Sequence, residues 1–432
     1  MKLVTLSEKE FENFVKNHVQ ANFHQTIEWG KLKEGNNWKM HLVGLKDDKK
    51  IIAASLLLSK MTPIKRQMFY APRGFLIDYS NYDVLKIFTD KIKEYVKKNK
   101  GIFIKIDPYI EYRQRDMDGN IVEDGYNNID TYNNLIKLGY KHFGFNIMQE
   151  TLQPRWIFTK DTKDKDVEEL FQQMDRKTRQ QLNKNETNCI KTRELDYDEL
   201  ELFKDIMQKT GDRRDFIDRP LSYYQNLYKT LHDKGIGKFI IAEIHTKEAI
   251  KKLQAEIDKY QEEFDDRKNK YENKIITMNQ KKYEQKQKET KANIDNFERR
   301  KKEMETLKNN KGDIVPLSCV FYLIYGKEVL SLVGGSYKET MEYQGPHTIH
   351  WEMIKYAAKN GFDRYNFYGI TGDFNKSNPL YGLYLFKRGF GGQVVELIGE
   401  FDLIIDKPMF IVYNLAFKTY RFFKNTLNKL KK

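Results

Sequence analysis

The sequence is poor in the residues that most hydrolases and metalloenzymes rely on. Two cysteines and eight histidines are spread over 432 residues. Cys189 and Cys319 are too distant in sequence to suggest a disulfide framework or a zinc spacing, and each sits in an apolar run, as a core residue does. The histidines form no recognised metal-ligand motif. There is no G-x-S-x-G, no H-E-x-x-H, no P-loop and no dinucleotide-type G-x-G-x-x-G. These absences argue against a metal hydrolase or a Ser-His-Asp hydrolase. An enzyme so built would work by positioning two substrates and stabilising developing charge. No apolar run approaches the ~20 residues of a membrane span, and the opening MKLVTLSEKEF has no apolar signal core. The expected location is cytoplasmic, either soluble or peripheral at the inner membrane face.

The stretch 247–311 contains neither glycine nor proline. Its apolar residues Ile250, Leu253, Ile257, Tyr260 and Phe264 are spaced 3, 4, 3, 4, with Tyr271, Ile275 and Met278 resuming the register. A second run holds Tyr283, Thr290, Ile294, Phe297 and Met304. That narrow stripe predicts a coiled-coil seam. As one straight helix it would extend roughly 100 Å at 1.5 Å per residue with nothing to cover the stripe. An antiparallel hairpin turning near 277–281 lets the two seams cover each other. Segments 238–245 and 317–325 on either side read as buried strands of one sheet. The arm is then an insertion inside a domain.

The formal charge is +14 with a sequence pI near 9.2. Such a balance suits an anionic partner: nucleic acid, a phosphorylated substrate or an acidic membrane surface. A lysine-rich background with no specific partner gives the same number. The pattern of strand hairpins at 39–59, a helix at 82–98 and strands at 67–70 and 102–106 indicates a mixed α/β unit. A second unit follows from about residue 153, with a basic helix at 167–184, helices at 199–210 and 222–233, a helix at 348–359 and a strand at 364–368. In both units a strand and a Gly-containing loop precede a helix that stops on Asn near a Gly (Asn99-Lys100-Gly101; Asn360-Gly361), a left-handed C-cap signal. The echo suggests a duplicated topology. The expected parts are 1–150, 151–245, the arm 246–312, and 313–432 ending in an aromatic, basic helix from 408. That last helix reads either as docked on the core or as a contact with anionic lipid.

Cations in loops are the remaining candidates. Lys31 and Lys33 follow Trp29. Arg219-Pro220 reads as a helix start with Pro at the first position, which would aim Arg219 and free amides at an anion. Lys387 lies in an apolar context that would desolvate it. Arg176, Lys177 and Arg179 form a basic patch suited to phosphates. For each of them an ordinary solvated surface residue is the plain alternative.

Several stretches together resemble the FemABX aminoacyltransferases, which build peptidoglycan interpeptide bridges from aminoacyl-tRNA. They are Phe23-His24-Gln25-Thr26 with 29–33, YAPRGFLID at 70–78, Ile106-Asp107-Pro108, Leu152-Gln153-Pro154-Arg155, DRPLSY at 218–223, WEMIKYAAKNGFDRYNFYG at 351–369 and 382–389. The resemblance covers essentially the whole chain. It implies two acetyltransferase-like (GNAT) halves in one α/β body with an inserted coiled-coil arm, and no cofactor. It implies aminoacyl-tRNA as donor, glycine before alanine or serine as the amino acid, and a lipid-linked or nucleotide-linked peptidoglycan precursor as acceptor. It also implies peripheral contact with the inner membrane face and assembly with itself or related transferases. Lys33, Arg219 and Tyr223, together with Arg73, are the implied acceptor-binding residues. Lys387 is the implied oxyanion-stabilising lysine, and Asp107 matches a carboxylate once considered as base. Where some members carry tyrosines near the acceptor, this chain has Ser331, Leu332 and Val333. Two other classes fit parts of the sequence: a non-catalytic RNA- or membrane-binding coiled-coil adaptor, and a GNAT-type N-acyltransferase using acyl-CoA, whose acyl-CoA loop is missing here.

Overall fold

A computed structural model of the chain describes residues 1–142, 144–148 and 151–417. Two twisted sheets carry the fold. The first runs in the order Lys2–Thr5, Lys39–Asp47, Lys50–Met61, Gln67–Ala71, Gly101–Ile106, Phe401–Ile404, Tyr140–His142. The second runs Glu111–Gln114, Gln393–Leu397, Trp156–Asp161, Arg364–Gly369, Glu328–Ser336, Ile314–Tyr325, Gly237–His245, Ile190–Glu194. The mixed α/β class expected from the alternation of hairpins and helices is the one adopted. Each sheet holds one parallel pair bridged by a helix: Gln67–Ala71 and Gly101–Ile106 across Tyr82–Lys98, and Glu328–Ser336 and Arg364–Gly369 across Gly345–Lys359. Parallel neighbours need such a crossover, and the repeated unit matches the echo in the sequence. The left-handed residue after the first helix is Lys100 (φ 57°), and after the second it is Gly361 (φ 71°). Gly101 is needed for another reason: a Cβ there would stand 2.3 Å from Val96 and 2.9 Å from Phe69.

The sheets exchange strands. Glu111–Gln114, from residues 1–150, edges the second sheet, whereas Phe401–Ile404, from 313–432, pairs inside the first. One hydrophobic cluster joins Leu42, Leu56 and Phe23 to Phe203, Phe239 and Phe321, so the core runs through both sheets. The basic segment expected as one helix over 167–184 is two. Val167–Gln172 ends before Asp175, whose carboxylate accepts the amide of Thr178 at 2.7 Å and starts Arg176–Thr187. An N-capping aspartate inside a helical pattern begins a new helix. The helix at 407–417 buries Phe410 against Phe103 and leaves Ile411 and Val412 exposed. The rest of the expected C-terminal helix, 418–432, lies outside the described residues.

The glycine-free stretch forms two helices, Thr246–Glu272 and Gln280–Lys311. They pack side by side, with Tyr271 stacked on Tyr283 and Tyr260 on Phe297. The reversal comes earlier than the apolar spacing suggested. Asn279 caps the second helix by accepting the amide of Lys282, and Ile275 is left exposed in the turn instead of joining a seam. The hairpin leaves and re-enters the second sheet between the paired strands Gly237–His245 and Ile314–Tyr325, where His245 faces Ile314. Its base is part of the core: Ala249, Leu253 and Met304 are fully buried with Leu317 and Ile354. Cutting the hairpin between Tyr260 and Phe297 therefore differs from removing it. Replacing 261–293 by a short Gly-Ser link, which keeps the buried Ile294, should move the thermal unfolding temperature by less than about 4 °C, the effect of roughly 1 kcal/mol. Removing 247–311 should lower it further, because each buried Leu or Met side chain contributes about 1.5–3 kcal/mol. Equal melting of the two deletions would contradict a core role for the base.

Candidate functional site

Two cavities lie side by side where the sheets meet, and they share His24 and Tyr368. The larger, about 530 Å³, is walled by Asn22, Arg73, Tyr109, Glu328 and Arg364. The smaller, about 370 Å³, is walled by Trp29, Phe216, Arg219, Tyr223 and Leu332.

The wall between them is built from the short turn Phe23–Gln25 and the helix Ile27–Glu34 that follows it. Thr26 caps that helix by accepting the amide of Trp29 at 3.2 Å. Gln25 is fully buried and ties three backbone segments together. Its amide donates to the carbonyls of Leu56 and Pro72, and its oxygen accepts the amide of Leu56 at 2.8 Å. Gly74 is required here, since a Cβ would meet the Gln25 amide nitrogen at 2.7 Å. The loop so pinned holds Arg73 in the interior with φ 52°. The Arg73 amide donates to Asp107 Oδ1 at 2.8 Å, its guanidinium lies 3.6 Å from Oδ2, and Nη2 donates to the carbonyl of Pro154 at 2.8 Å. Burial pushes the Asp107 carboxyl up to about 6 against the opposing charge of Arg73. The far wall is a closed network in which Glu328 accepts from Tyr109, Arg364 and Asn366.

Arg219 lines the smaller cavity, and Lys33 stands next to that wall, over Trp29 and within the field of Arg219. The Lys33 ammonium sits 4.0 Å over the Trp29 ring, and the Arg219 guanidinium 5.7 Å from the Tyr223 ring. Burial, and then the charge of Arg219, lowers Lys33 to about 8. Among the described residues neither cation is paired with a carboxylate. Two unpaired cations in each other's field repel until an anion comes between them. Around the shared wall, Asn22 Oδ1, His24 Nε2 and Trp29 Nε1 are buried without a hydrogen-bond partner. Burial and the charges of Arg73 and Lys33 keep His24 neutral. Buried polar atoms are normally satisfied, and here bound polar groups could do it. No group of three or more His, Cys, Asp or Glu residues among the described ones is placed to hold a metal ion. No helix among them is long and apolar enough to cross a membrane.

Of the expected residues, Arg73 lines the larger cavity and Arg219 and Tyr223 the smaller, while Asp107 and Lys33 line neither and stand behind them, Asp107 against Arg73 and Lys33 over Trp29. Other residues fall elsewhere. Arg219 does not sit at a Pro-initiated helix: Pro220 is the N-cap, and the helix Leu221–Leu227 is only seven residues long. Lys387, on the helix Tyr381–Arg388, is buried and lines neither cavity. Its ammonium donates to the carbonyls of Phe367 at 2.6 Å and Gly369 at 2.7 Å. Burial lowers it to about 7. Arg176 and Lys177 are exposed on the first turn of Arg176–Thr187, and Arg179 donates to the carbonyl of Gln172 at 2.8 Å. None of the three lines either cavity. Tyr368 and Tyr109 were not singled out by composition or spacing. Tyr368 lies in a run of strand-forming aromatics, and only its left-handed backbone, φ 65°, sets it apart.

The FemAB family model matches residues 6–418. The chain belongs to the FemAB family. Among relatives of this FemAB chain, the aminoacyltransferase FemA of Staphylococcus aureus (strain bovine RF122 / ET3-1) is 31% identical over 420 residues, 96% of this chain and 97% of the relative. FemA of Staphylococcus aureus strain N315 matches equally, at 31% over the same shares. The crystal structure of FemX superposes with a TM-score of 0.78 at 28% identity, covering 95% of this chain and 99% of FemX. On that kinship this FemAB chain is a transferase.

Proposed function

We propose that the chain is an aminoacyltransferase of peptidoglycan assembly. It moves an amino acid, glycine ahead of alanine or serine, from aminoacyl-tRNA to the amine of a precursor's stem or bridge peptide. The observation that carries this reading is a pair of unpaired cations, Arg219 in the wall of one of two cavities that adjoin at His24 and Tyr368, and Lys33 beside it over Trp29 of the same wall. A lipid-linked and a nucleotide-linked precursor both carry a pyrophosphate, and that group suits two neighbouring cations. The second cavity leaves room for the donor's aminoacyl end. Nearness of the two is the main requirement of a reaction between two bound substrates.

The aminoacyl ester is already activated. Attack by the acceptor nitrogen on the ester carbon forms the new C–N bond and moves a carbonyl electron pair onto oxygen. Collapse breaks the C–O bond to the ribose, and the amine proton ends on the ribose oxygen. The protein must hold the pyrophosphate, aim the amine and stabilise the oxyanion. Ile217, 95% exposed beside Arg219, gives the acceptor cavity an apolar rim, which suits a lipid-linked acceptor at the inner membrane face.

The test is an assay with pools of charged tRNA and lipid- or nucleotide-linked precursor, read by product mass. The expected result is addition of one amino-acid residue that requires charged tRNA. A precursor unchanged by every charged tRNA would sink the reading.

A further inference from the structure

We infer that the phenol of Tyr368 is the group presented to the reacting ester, and that Lys387 is the positioning residue that presents it. This rests on the aminoacyl-transfer reading above.

Tyr368 lines both cavities, so a group passing from a donor in one to an acceptor in the other passes its side chain. The strand Arg364–Gly369 is irregular at this point. Its register against Trp156–Asp161 shifts between Asn366 and Gly369, and Tyr368 adopts φ 65°. A bulge of this kind turns a side chain out of the alternation of its strand. A non-glycine residue in the left-handed region is uphill and persists only where its surroundings hold it. Three polar contacts do so. Asn366 Oδ1 accepts the Tyr368 amide at 2.7 Å. Lys387 Nζ donates to the carbonyls on either side of Tyr368, those of Phe367 and Gly369. Lys387 comes from a different element, so it fixes the kink from outside the strand.

The phenol is set up as a donor. It donates to the Gln153 side-chain oxygen. Burial, partly offset by Arg73, raises it to about 12, so it keeps its proton at neutral pH. Gln153 is a neutral acceptor that an oxyanion outcompetes, because hydrogen bonds to charged oxygen are roughly twice as strong. As the acceptor amine attacks, the phenol turns its proton to the new oxyanion. When the ester C–O bond breaks and the carbonyl reforms, the bond to Gln153 returns. Tyr368 gains and loses no proton over the cycle. Lys387 needs no contact with either substrate, which accounts for a buried lysine whose nitrogen faces only backbone.

The experiment compares Tyr368→Phe, Lys387→Met and the double variant in steady-state transfer from charged tRNA to the precursor. Tyr368→Phe should lower kcat by about 10²–10³-fold, the loss seen when one oxyanion donor is removed, with acceptor KM unchanged. Lys387→Met should lower kcat to a similar extent, and the double variant should be no worse than the poorer single, since both remove one presented group. Wild-type kcat in Tyr368→Phe overturns the inference, and so do losses that multiply in the double variant, which would give Lys387 a separate role at the oxyanion. Tyr368→Phe removes a single oxygen, so its arm decides the matter even if Lys387→Met fails to fold. An inert wild type would overturn the transfer reading and this inference together; an active wild type with an unimpaired Tyr368→Phe overturns this inference alone.

Discussion

Arg219→Ala should raise the acceptor KM by roughly 10- to 100-fold and leave kcat near wild type. Arg219 is exposed and holds no carboxylate in the free protein, so its removal costs no internal ion pair. What is lost is a charge-assisted hydrogen bond to the acceptor, about 1.5–3 kcal/mol, which is the stated range in affinity. Because the interaction is made equally with bound substrate and transition state, it appears in KM. Lys33→Met should act in the same direction, with a pH signature that Arg219 lacks. Lys33 sits at about 8, lowered first by burial and then by Arg219. Below that pH it is an ammonium that attracts the pyrophosphate. Above it the free protein carries a neutral amine, and binding must first recharge it. Acceptor KM should therefore be flat up to about pH 8 and climb by as much as tenfold per unit beyond. Lys33→Arg should flatten the climb, since a guanidinium does not deprotonate in that range. A KM unchanged in Arg219→Ala, or the same alkaline climb in Lys33→Arg, would remove these residues from the acceptor site.

Much of the fold was legible because its signals are local. The 3, 4 spacing from Ile250 to Phe264, the hairpin at 39–59 and the two strand–helix–strand units each follow from residues close in sequence. The exchange of Glu111–Gln114 and Phe401–Ile404 between sheets was not legible, since strand partners hundreds of residues apart leave no mark in either segment. The cations Lys33 and Arg219 could be found as charges near aromatic loops and through the family resemblance. Their proximity could not, because it is set by how the helix Ile27–Glu34, packed on Lys39–Asp47 and Lys50–Met61 of the first sheet, meets a segment that lies far along the chain. Lys387 shows the limit most clearly. Its apolar neighbours announced a desolvated lysine, which it is, but the direction of its ammonium depends on a bulge in the strand Arg364–Gly369, outside its own helix. Tyr368 left no signal in the sequence, because left-handed backbone at a tyrosine is imposed by its surroundings.

Arg73→Ala should destabilise the protein by about 3–5 kcal/mol at pH 7, the cost of leaving one member of a buried ion pair alone. Arg73 and Asp107 are 4% and 2% exposed, so the pair is almost wholly withdrawn from solvent. The size of the effect depends on pH in a calculable direction. Asp107 is raised to about 6 in the folded chain, chiefly by burial and against the pull of Arg73, whereas an unfolded aspartate titrates near 3.9. A raised carboxyl contributes most to stability below the unfolded value, and that contribution is lost as pH rises through about 6; at pH 7 the difference amounts to about 3 kcal/mol. Without Arg73 the carboxyl rises further and the loss at pH 7 grows. At pH 5 the folded carboxyl is mostly protonated with or without Arg73, so only the bond to the Pro154 carbonyl and the packing are missing. Thermal unfolding of wild type and Arg73→Ala should therefore differ more at pH 7 than at pH 5. Adding Asp107→Asn to Arg73→Ala should recover part of the pH 7 loss, by removing the stranded charge. Asp107→Asn alone should keep transfer within about tenfold of wild type, less than the 10²–10⁴-fold that a general base supplies, because both carboxylate oxygens face Arg73. Equal destabilisation of Arg73→Ala at the two pH values would break the ion-pair account, and a loss of transfer beyond 10²-fold in a well-folded Asp107→Asn would return Asp107 to the reaction as its base.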